Sequence, residues 1–102
     1  MNKYSLSPAA IRDLDEISDY FSNFSLEAGE RFIKRFDDKC KNLINFPKMG
    51  RSYGQIMPNL RGVPLDGYII FYQVTEIEIE IVRIVSGYRN LESLFGSTDI
   101  NN

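Results

Sequence analysis

Two amphipathic helical segments near the start of the chain are separated by only three residues. In the first, Ser7 is typical of a helix N-cap and Pro8 of the first helical position, and the apolar periodicity continues to about residue 23. In the second, Ser25 is the candidate N-cap and the periodicity runs to about Asn45. Because so short a connection places consecutive helices side by side, the two segments are predicted to form an antiparallel helix hairpin.

Three strand patterns follow the helices, after a predicted loop over residues 46–59. They cover residues 60–64, 67–74 and 77–85, and the connections between them are short enough for an antiparallel meander. A further strand candidate, Lys3 to Leu6, precedes the first helix and is expected to join the meander as an edge strand. The predicted fold is therefore α+β, in the order β-α-α-β-β-β, with the helix hairpin packed on one face of a small antiparallel sheet.

The rest of the chain is expected to add little to this core. Residues 90–95 are predicted to form a short C-terminal helix, and residues 97–102 a frayed tail. A chain of 102 residues has the size of one domain, so residues 1–96 are predicted to form a single domain. The apolar runs are far shorter than a membrane span, and we expect a soluble, cytoplasmic protein without a membrane partner.

The composition excludes several kinds of chemistry. The chain has no histidine and a single cysteine, Cys40, so the usual neutral-pH general base, Ser-His and Cys-His nucleophile pairs and ordinary zinc sites are excluded. Cys40 falls in the second helix and is predicted to be a small core residue. The net charge of −2 gives no overall positive field, so strong direct binding to nucleic acid is not expected. Neither a metal nor a cofactor is predicted.

Four carboxylates on the first helix could suggest a metal site: Asp13, Asp15, Glu16 and Asp19. They do not converge on one position around the helix, and acidic residues in the first helical turns are favoured by the helix dipole. We therefore interpret all four as part of a solvated face.

From residue 51 onward the chain contains four arginines and no lysine: Arg51, Arg61, Arg83 and Arg89. Arginine without lysine is typical of bidentate or stacking contacts in fixed positions, and less typical of residues that only keep a protein soluble. Arg61 and Arg83 fall inside predicted strands, and Arg89 follows the last strand. Each has a structural alternative, in which the guanidinium pairs with Asp66 or with a carbonyl oxygen. For Arg83 the two interpretations carry similar weight, because a charge inside an apolar run must be paired.

The strand pattern over residues 67–74 is apolar on both faces, since Ile69 and Phe71 alternate with other apolar residues. Two helices can cover only one face of so small a sheet, so Ile69 and Phe71 are expected on a surface that requires a partner. The helix hairpin adds further apolar residues at the margins of its two apolar stripes: Tyr20, Phe24, Ile33 and Ile44.

Several short segments also occur in a characteristic order. They are Tyr4-Ser-Leu-Ser-Pro-Ala, Asp13-Leu-Asp-Glu-Ile, Phe46-Pro-Lys-Met-Gly-Arg, Leu60-Arg, Tyr68-Ile-Ile-Phe-Tyr and Gly87-Tyr-Arg. In the order and spacing of these segments, over about residues 3–95, the chain resembles the ParE/RelE superfamily of bacterial type II toxin–antitoxin systems. The resemblance is closer to the ParE-like toxins.

The superfamily contains two activities. RelE-like toxins cleave mRNA on the ribosome and typically carry arginine at the position of Ile69, lysine near Val63 and tyrosine near Phe95. ParE-like toxins are not nucleases; they inhibit DNA gyrase and are neutralised by a cognate antitoxin. The resemblance therefore implies the toxin of a plasmid-stabilisation type of toxin–antitoxin system, with gyrase as its target and no catalytic residues.

The resemblance gives the candidate residues their roles. Arg61, Arg83 and Arg89 become candidates for contacting the target. The candidates for binding the antitoxin, with which the toxin would form a hetero-oligomer, are Tyr20, Phe24, Ile33, Ile44, Ile69 and Phe71. Two alternatives stay open: a ribosome-dependent mRNA endonuclease that uses the same three arginines, and a non-toxic remnant that only binds antitoxin.

Overall fold

The structure is a computed structural model, and it describes residues 3–87. The two helices are α1 (Pro8–Ser22) and α2 (Leu26–Asn45), and the strands are β1 (Tyr4–Leu6), β2 (Arg51–Ser52), β3 (Arg61–Leu65), β4 (Tyr68–Val74) and β5 (Ile79–Ser86). The predicted C-terminal helix and tail lie outside the described residues. Within residues 3–87, no helix is both long enough and apolar enough to cross a membrane.

The helix hairpin forms where the capping residues and the periodicity predicted it. Ser7 and Ser25 each accept a hydrogen bond from the amide three residues later, at 3.1 and 3.0 Å. The two helices approach closely at Gly29, where an added Cβ would overlap the side chain of Ser22. A larger residue at this position would therefore require Ser22 to shift.

The five strands form one sheet in the order β1-β5-β4-β3-β2. The predicted meander of β3, β4 and β5 is confirmed. Its first turn is Asp66-Gly67, and both residues have the positive φ, 50° and 87°, that a tight two-residue hairpin turn requires.

The edge strand β1 pairs with β5 in parallel. The sheet is therefore mixed, whereas a wholly antiparallel sheet was predicted. Short turns impose opposite directions on the strands of the meander. No such turn joins β1 to β5, because the helix hairpin and the other strands lie between them in the chain, and the direction of β1 is therefore free. The other difference is β2, a two-residue strand inside the predicted loop, which is too short to produce a periodic pattern.

The larger of two apolar cores lies between the helix hairpin and the sheet. Its buried members are Ala10, Ile17, Phe32, Phe36, Cys40, Leu43, Val63, Leu65, Ile70, Tyr72, Ile79, Ile81 and Ile84. Cys40 is fully buried, as predicted, and this burial raises the pKa of its thiol to about 12. Because the members come from both helices and three strands, this core fixes the hairpin on the sheet.

The opposite face of the sheet is partly covered by the segment between β2 and β3. The smaller apolar core lies here. Its buried residues are Leu60, Phe71 and Val85, and Tyr53, Ile56, Met57, Ile69 and Val82 pack against them. The Tyr53 ring packs edge-on against Phe71 with a centroid separation of 5.0 Å. The expectation that Phe71 is exposed is therefore wrong, because residues predicted only as a loop fold back over it. Ile69 is partly buried in the same smaller core.

Candidate functional site

Arg83, on β5, is held by an acidic residue of α1. Its Nε donates to Oδ2 of Asp13 at 2.7 Å and its Nη2 donates to Oδ1 at 3.0 Å, a bidentate arrangement that matches guanidinium to carboxylate. The side chains are only 22% and 13% exposed. The hydrogen bond to Asp13 raises the pKa of Arg83 above its ordinary value, so the guanidinium is a fixed positive charge.

Asp13 fills a gap that the short edge strand leaves along β5. β1 ends at Leu6, and among the described strands no other pairs with this side of β5. The amide of Ile84 donates instead to Oδ2 of Asp13 at 2.9 Å, and the hydroxyl of Ser7 donates to a β5 carbonyl at 2.8 Å. A carboxylate in this half-buried position needs a counter-ion, which Arg83 provides. The prediction that Asp13 belongs to the solvated acidic face is therefore wrong.

Arg61, the first residue of β3, holds the turn that follows α2. Its Nη1 donates to the carbonyl of Gly50 at 2.8 Å and to that of Lys48 at 3.3 Å. Tyr72 lies opposite Arg61 in the ladder; its hydroxyl donates to the carbonyl of Pro47 at 2.8 Å and accepts from the Gly50 amide at 3.0 Å. The two side chains together fix the turn, and burial of Tyr72 raises the pKa of its hydroxyl.

The structure does not bring Arg61 and Arg83 into one site. They lie on β3 and β5 with β4 between them, and they contact different segments of the chain. Arg61 bonds to carbonyl oxygens, as its structural alternative predicted, whereas Arg83 pairs with Asp13, a carboxylate that the alternative did not name. Asp66, the expected carboxylate, pairs with Arg35 at 2.8 Å instead. Arg89 lies outside the described residues.

Within residues 3–87, the groups whose pKa is shifted titrate farther from pH 7 than they ordinarily would. Burial raises the pKa of the hydroxyls of Tyr4, Tyr68 and Tyr72. The hydrogen bond between Lys41 and Asp37 lowers the pKa of the carboxyl and raises that of the ammonium. Efficient proton transfer at neutral pH calls for the opposite kind of shift. In this described part of the chain, no group of acidic, cysteine or histidine side chains could hold a metal ion.

An exposed apolar surface lies where the two helices meet. Tyr20 is 53% exposed and Phe24 is 72% exposed, and their ring centroids are 5.4 Å apart. Leu26, the first residue of α2, is 70% exposed. We define these three residues as the hairpin tip. Large apolar side chains grouped on a surface are typical of sites that contact another protein.

The other residues predicted to bind a partner differ in accessibility. Ile33 is 39% exposed on α2, whereas Ile44 and Ile69 are partly buried against the larger and the smaller core. Phe71 is fully buried. Of the six predicted residues, the structure therefore places Tyr20, Phe24 and Ile33 where a partner could reach them readily.

A model of a known protein family matches most of the chain. The model described as the ParE toxin of the type II toxin–antitoxin system parDE matches residues 4–91. The chain belongs to the ParE toxin family. The match includes every helix and strand of the described structure.

Individual relatives of the chain are named as ParE and as RelE toxins. Toxin ParE1 of Mycobacterium tuberculosis (strain ATCC 25618 / H37Rv) is 29% identical over 86 residues, which are 82% of this chain and 88% of the relative. Toxin RelE2 of Caulobacter vibrioides is 35% identical over 75 residues, 74% of this chain and 83% of the relative.

A solved structure is similar to this ParE-family chain in its fold. It is titled the chromosomal ParDE TA system from P. aeruginosa, and it matches with a TM-score of 0.70 and 22% sequence identity. The match covers 84% of this chain and 96% of that chain, so the helix hairpin and the sheet are shared almost throughout.

The sequence patterns did not predict two features of this ParE-family protein. Asp13 lies four residues before the buried Ile17, so helix geometry places it beside the apolar face, and that spacing could have marked it as half-buried. Phe46 and Met49 were predicted only as loop residues, yet they are 63% and 45% exposed. Apolar periodicity does not mark these two as a surface, because the helical pattern ends before them.

Proposed function

We propose that this ParE-family toxin inhibits DNA gyrase by binding to it, without catalysing a reaction, and that an antitoxin neutralises it by covering the hairpin tip. The observation that carries the proposal is that the two candidate arginines in the described structure, Arg61 and Arg83, contact separate segments of the protein and do not converge on one site. Arg83 is paired with Asp13, and Arg61 is bonded to two backbone carbonyls. A nuclease would instead need such groups to converge on a reacting phosphate.

The titratable groups support the same conclusion. Cleavage of RNA by attack of the 2′-hydroxyl requires a group that accepts a proton and one that donates it. The chain has no histidine, and the pKa shifts in residues 3–87 lead away from neutrality. A toxin that acts by binding needs neither group.

The hairpin tip supports a protein partner. Type II antitoxins are proteins, and an amphipathic helix laid on this surface would bury Tyr20 and Phe24 together with apolar side chains of its own. Ile33, farther along α2, would extend the same contact. A stable complex should bury at least roughly 1,000 Å² in total.

The target is tested with purified toxin, gyrase, ATP and relaxed plasmid. We expect less supercoiling and, after denaturation and proteolysis, linear DNA that had been covalently bound to gyrase. Toxin mixed with its antitoxin beforehand is the matched control and should leave supercoiling intact. Normal gyrase activity at a large molar excess of toxin, together with cleavage of mRNA on translating ribosomes, would overturn the proposal.

The second candidate function is the ribosome-dependent mRNA endonuclease. The observation that favours it is the 35% identity to a relative named RelE2, which is higher than the 29% identity to ParE1. It predicts cuts at defined positions in mRNA, visible by primer extension only when ribosomes are translating. The absence of such cuts at toxin concentrations that arrest growth would remove it.

The antitoxin contact is tested by Phe24→Asp, with Ile77→Asp as the matched control. Both residues are highly exposed, at 72% and 67%, but Ile77 lies in the turn between β4 and β5. We expect Phe24→Asp to weaken antitoxin binding by about tenfold or more, and Ile77→Asp to leave it unchanged. Equal affinities for the two variants would show that the hairpin tip is not the contact.

A further inference from the structure

A second exposed apolar surface lies at the far end of α2. Phe46, Pro47 and Met49, together with Val74 at the end of β4, line an open groove of about 530 Å³. Phe46, Met49 and Val74 are 63%, 45% and 36% exposed, although side chains of this kind usually lie in the core. We call this surface the α2–β4 groove.

The α2–β4 groove is held in shape by the hydrogen bonds of the turn that carries it. The hydroxyl of Tyr72 bridges Pro47 and Gly50, Arg61 donates to two carbonyls, and the amide of Met49 donates to the carbonyl of Phe46 at 3.1 Å. A Cβ at residue 50 would lie 2.5 Å from the Tyr72 hydroxyl oxygen, so glycine is required for this fit. A surface fixed in advance loses little conformational entropy when it binds.

Positive charge borders the groove on one side. A second cavity of about 340 Å³ adjoins it, and Lys48 and Val74 line both. Arg61 lines the second cavity and uses only Nη1 in hydrogen bonds within residues 3–87, to carbonyls that leave its charge unneutralised. In the same described part of the chain, Lys48 forms no ion pair, and neither cavity is lined by a carboxylate.

We propose that the α2–β4 groove binds a segment of a partner protein that carries carboxylates next to apolar side chains. The apolar side chains would cover Phe46, Met49 and Val74, and the carboxylates would reach Lys48 and Arg61. This chemistry follows from the pairing of an apolar floor with two unneutralised cations on one rim. The proposal holds whichever target the toxin has.

Two other occupants fit the same surface less well. Nucleic acid would need several phosphate contacts to overcome a net charge of −2, and the groove offers two cations beside an apolar floor. A second copy of the chain, bound through the same surface, would bring Lys48 and Arg61 toward their equivalents and create repulsion.

The proposal is tested by selecting peptides from a displayed random library on the full chain. Peptides long enough for about four helical turns are used, and the binders are then measured by fluorescence anisotropy. Met49→Ser and Phe46→Ser each remove part of the floor, and Lys48→Glu reverses the charge on the rim. Leu26→Ser, which removes an apolar residue of the hairpin tip that is 70% exposed, against 63% for Phe46 and 45% for Met49, is the matched control.

We expect binders rich in both acidic and apolar residues. Met49→Ser and Phe46→Ser should each weaken them by about tenfold, Lys48→Glu should weaken them in a salt-dependent manner, and Leu26→Ser should have no effect. The proposal is overturned if no peptide binds, if the binders lack acidic residues, or if both floor variants bind them normally. It is also overturned if single-stranded RNA competes with the peptides, or if sedimentation shows a dimer that Met49→Ser dissociates.

Discussion

Arg83 and Arg61 are both strand arginines, yet the protein uses them differently. Arg83 is neutralised by Asp13, whose carboxylate comes from α1. The same carboxylate also accepts a hydrogen bond from the amide of Ile84. Arg61 bonds through one nitrogen to carbonyls of a neighbouring turn. The first arrangement joins α1 to the sheet, whereas the second shapes a turn whose apolar side chains face the solvent.

The difference shows how the bonding partner decides what an arginine can still do. A carboxylate satisfies the hydrogen bonds and cancels the charge, so Arg83 has little left to offer a second molecule. Carbonyl oxygens satisfy some hydrogen bonds but leave the charge in place, so Arg61 can still attract a negative group. Of the two, Arg61 is therefore the better candidate for contacting a target or partner.

The largest expected effect belongs to Asp13→Ala. This change removes three hydrogen bonds and leaves the Ile84 amide and the guanidinium of Arg83 without their partner in a half-buried position. We expect the free energy of unfolding to fall by about 2–4 kcal/mol, measured by urea denaturation.

The matched control for this prediction is Asp15→Ala, which removes an exposed carboxylate from the same helix. It should change the free energy of unfolding by less than about 0.5 kcal/mol. Similar losses for the two variants would mean that Asp13 is solvated after all, and the contrast between the two arginines would disappear.

Tyr72→Phe should have an intermediate effect. It removes a hydroxyl that donates to Pro47 and accepts from Gly50, and the buried Gly50 amide then lacks its partner. We expect a loss of about 1–2 kcal/mol in the free energy of unfolding, with Tyr20→Phe, at the exposed hairpin tip, as the neutral control. A loss no larger than that of the control would show that the turn after α2 is held by other contacts.

Arg61→Ala should have the smallest effect on stability, about 1 kcal/mol, because only two bonds to carbonyls are lost. If Arg61 contacts gyrase as part of a binding surface, inhibition should weaken by about tenfold, measured as the toxin concentration for half-inhibition of supercoiling. Loss of a catalytic guanidinium would instead reduce activity by about 10²–10³. A stability loss larger than that of Asp13→Ala would reverse the comparison between the arginines.

Local signals in the sequence were sufficient for much of the fold. Ser7 and Ser25 marked the helix starts, and Asp66-Gly67 marked the first turn of the meander, because caps and tight turns depend on neighbouring residues. Apart from the very short β2, the failures were long-range. The parallel direction of β1, the pairing of Asp13 with Arg83 and the covering of Phe71 each join segments that are far apart in the chain, and no local pattern encodes which of them meet.

The candidate site was predicted in part. Tyr20 and Phe24 were identified because they lie at the margin of an apolar helical stripe, which is a local property. The α2–β4 groove was missed because Phe46 and Met49 follow the end of α2, and Val74 joins them only through the sheet. Whether an arginine is neutralised also depends on the packed structure, so the sequence alone could not separate Arg61 from Arg83.

The central claim is that this toxin acts by binding and not by turnover, and a titration tests it most directly. Gyrase is held at a fixed concentration well above the dissociation constant, toxin is added in steps, and supercoiling is measured; translation is followed in a parallel series. The account predicts that inhibition of gyrase rises in proportion to toxin and saturates near a stoichiometric ratio, and that added antitoxin restores the activity. Complete arrest of translation by a small fraction of one toxin per ribosome, with cleaved mRNA that antitoxin does not restore, would contradict it.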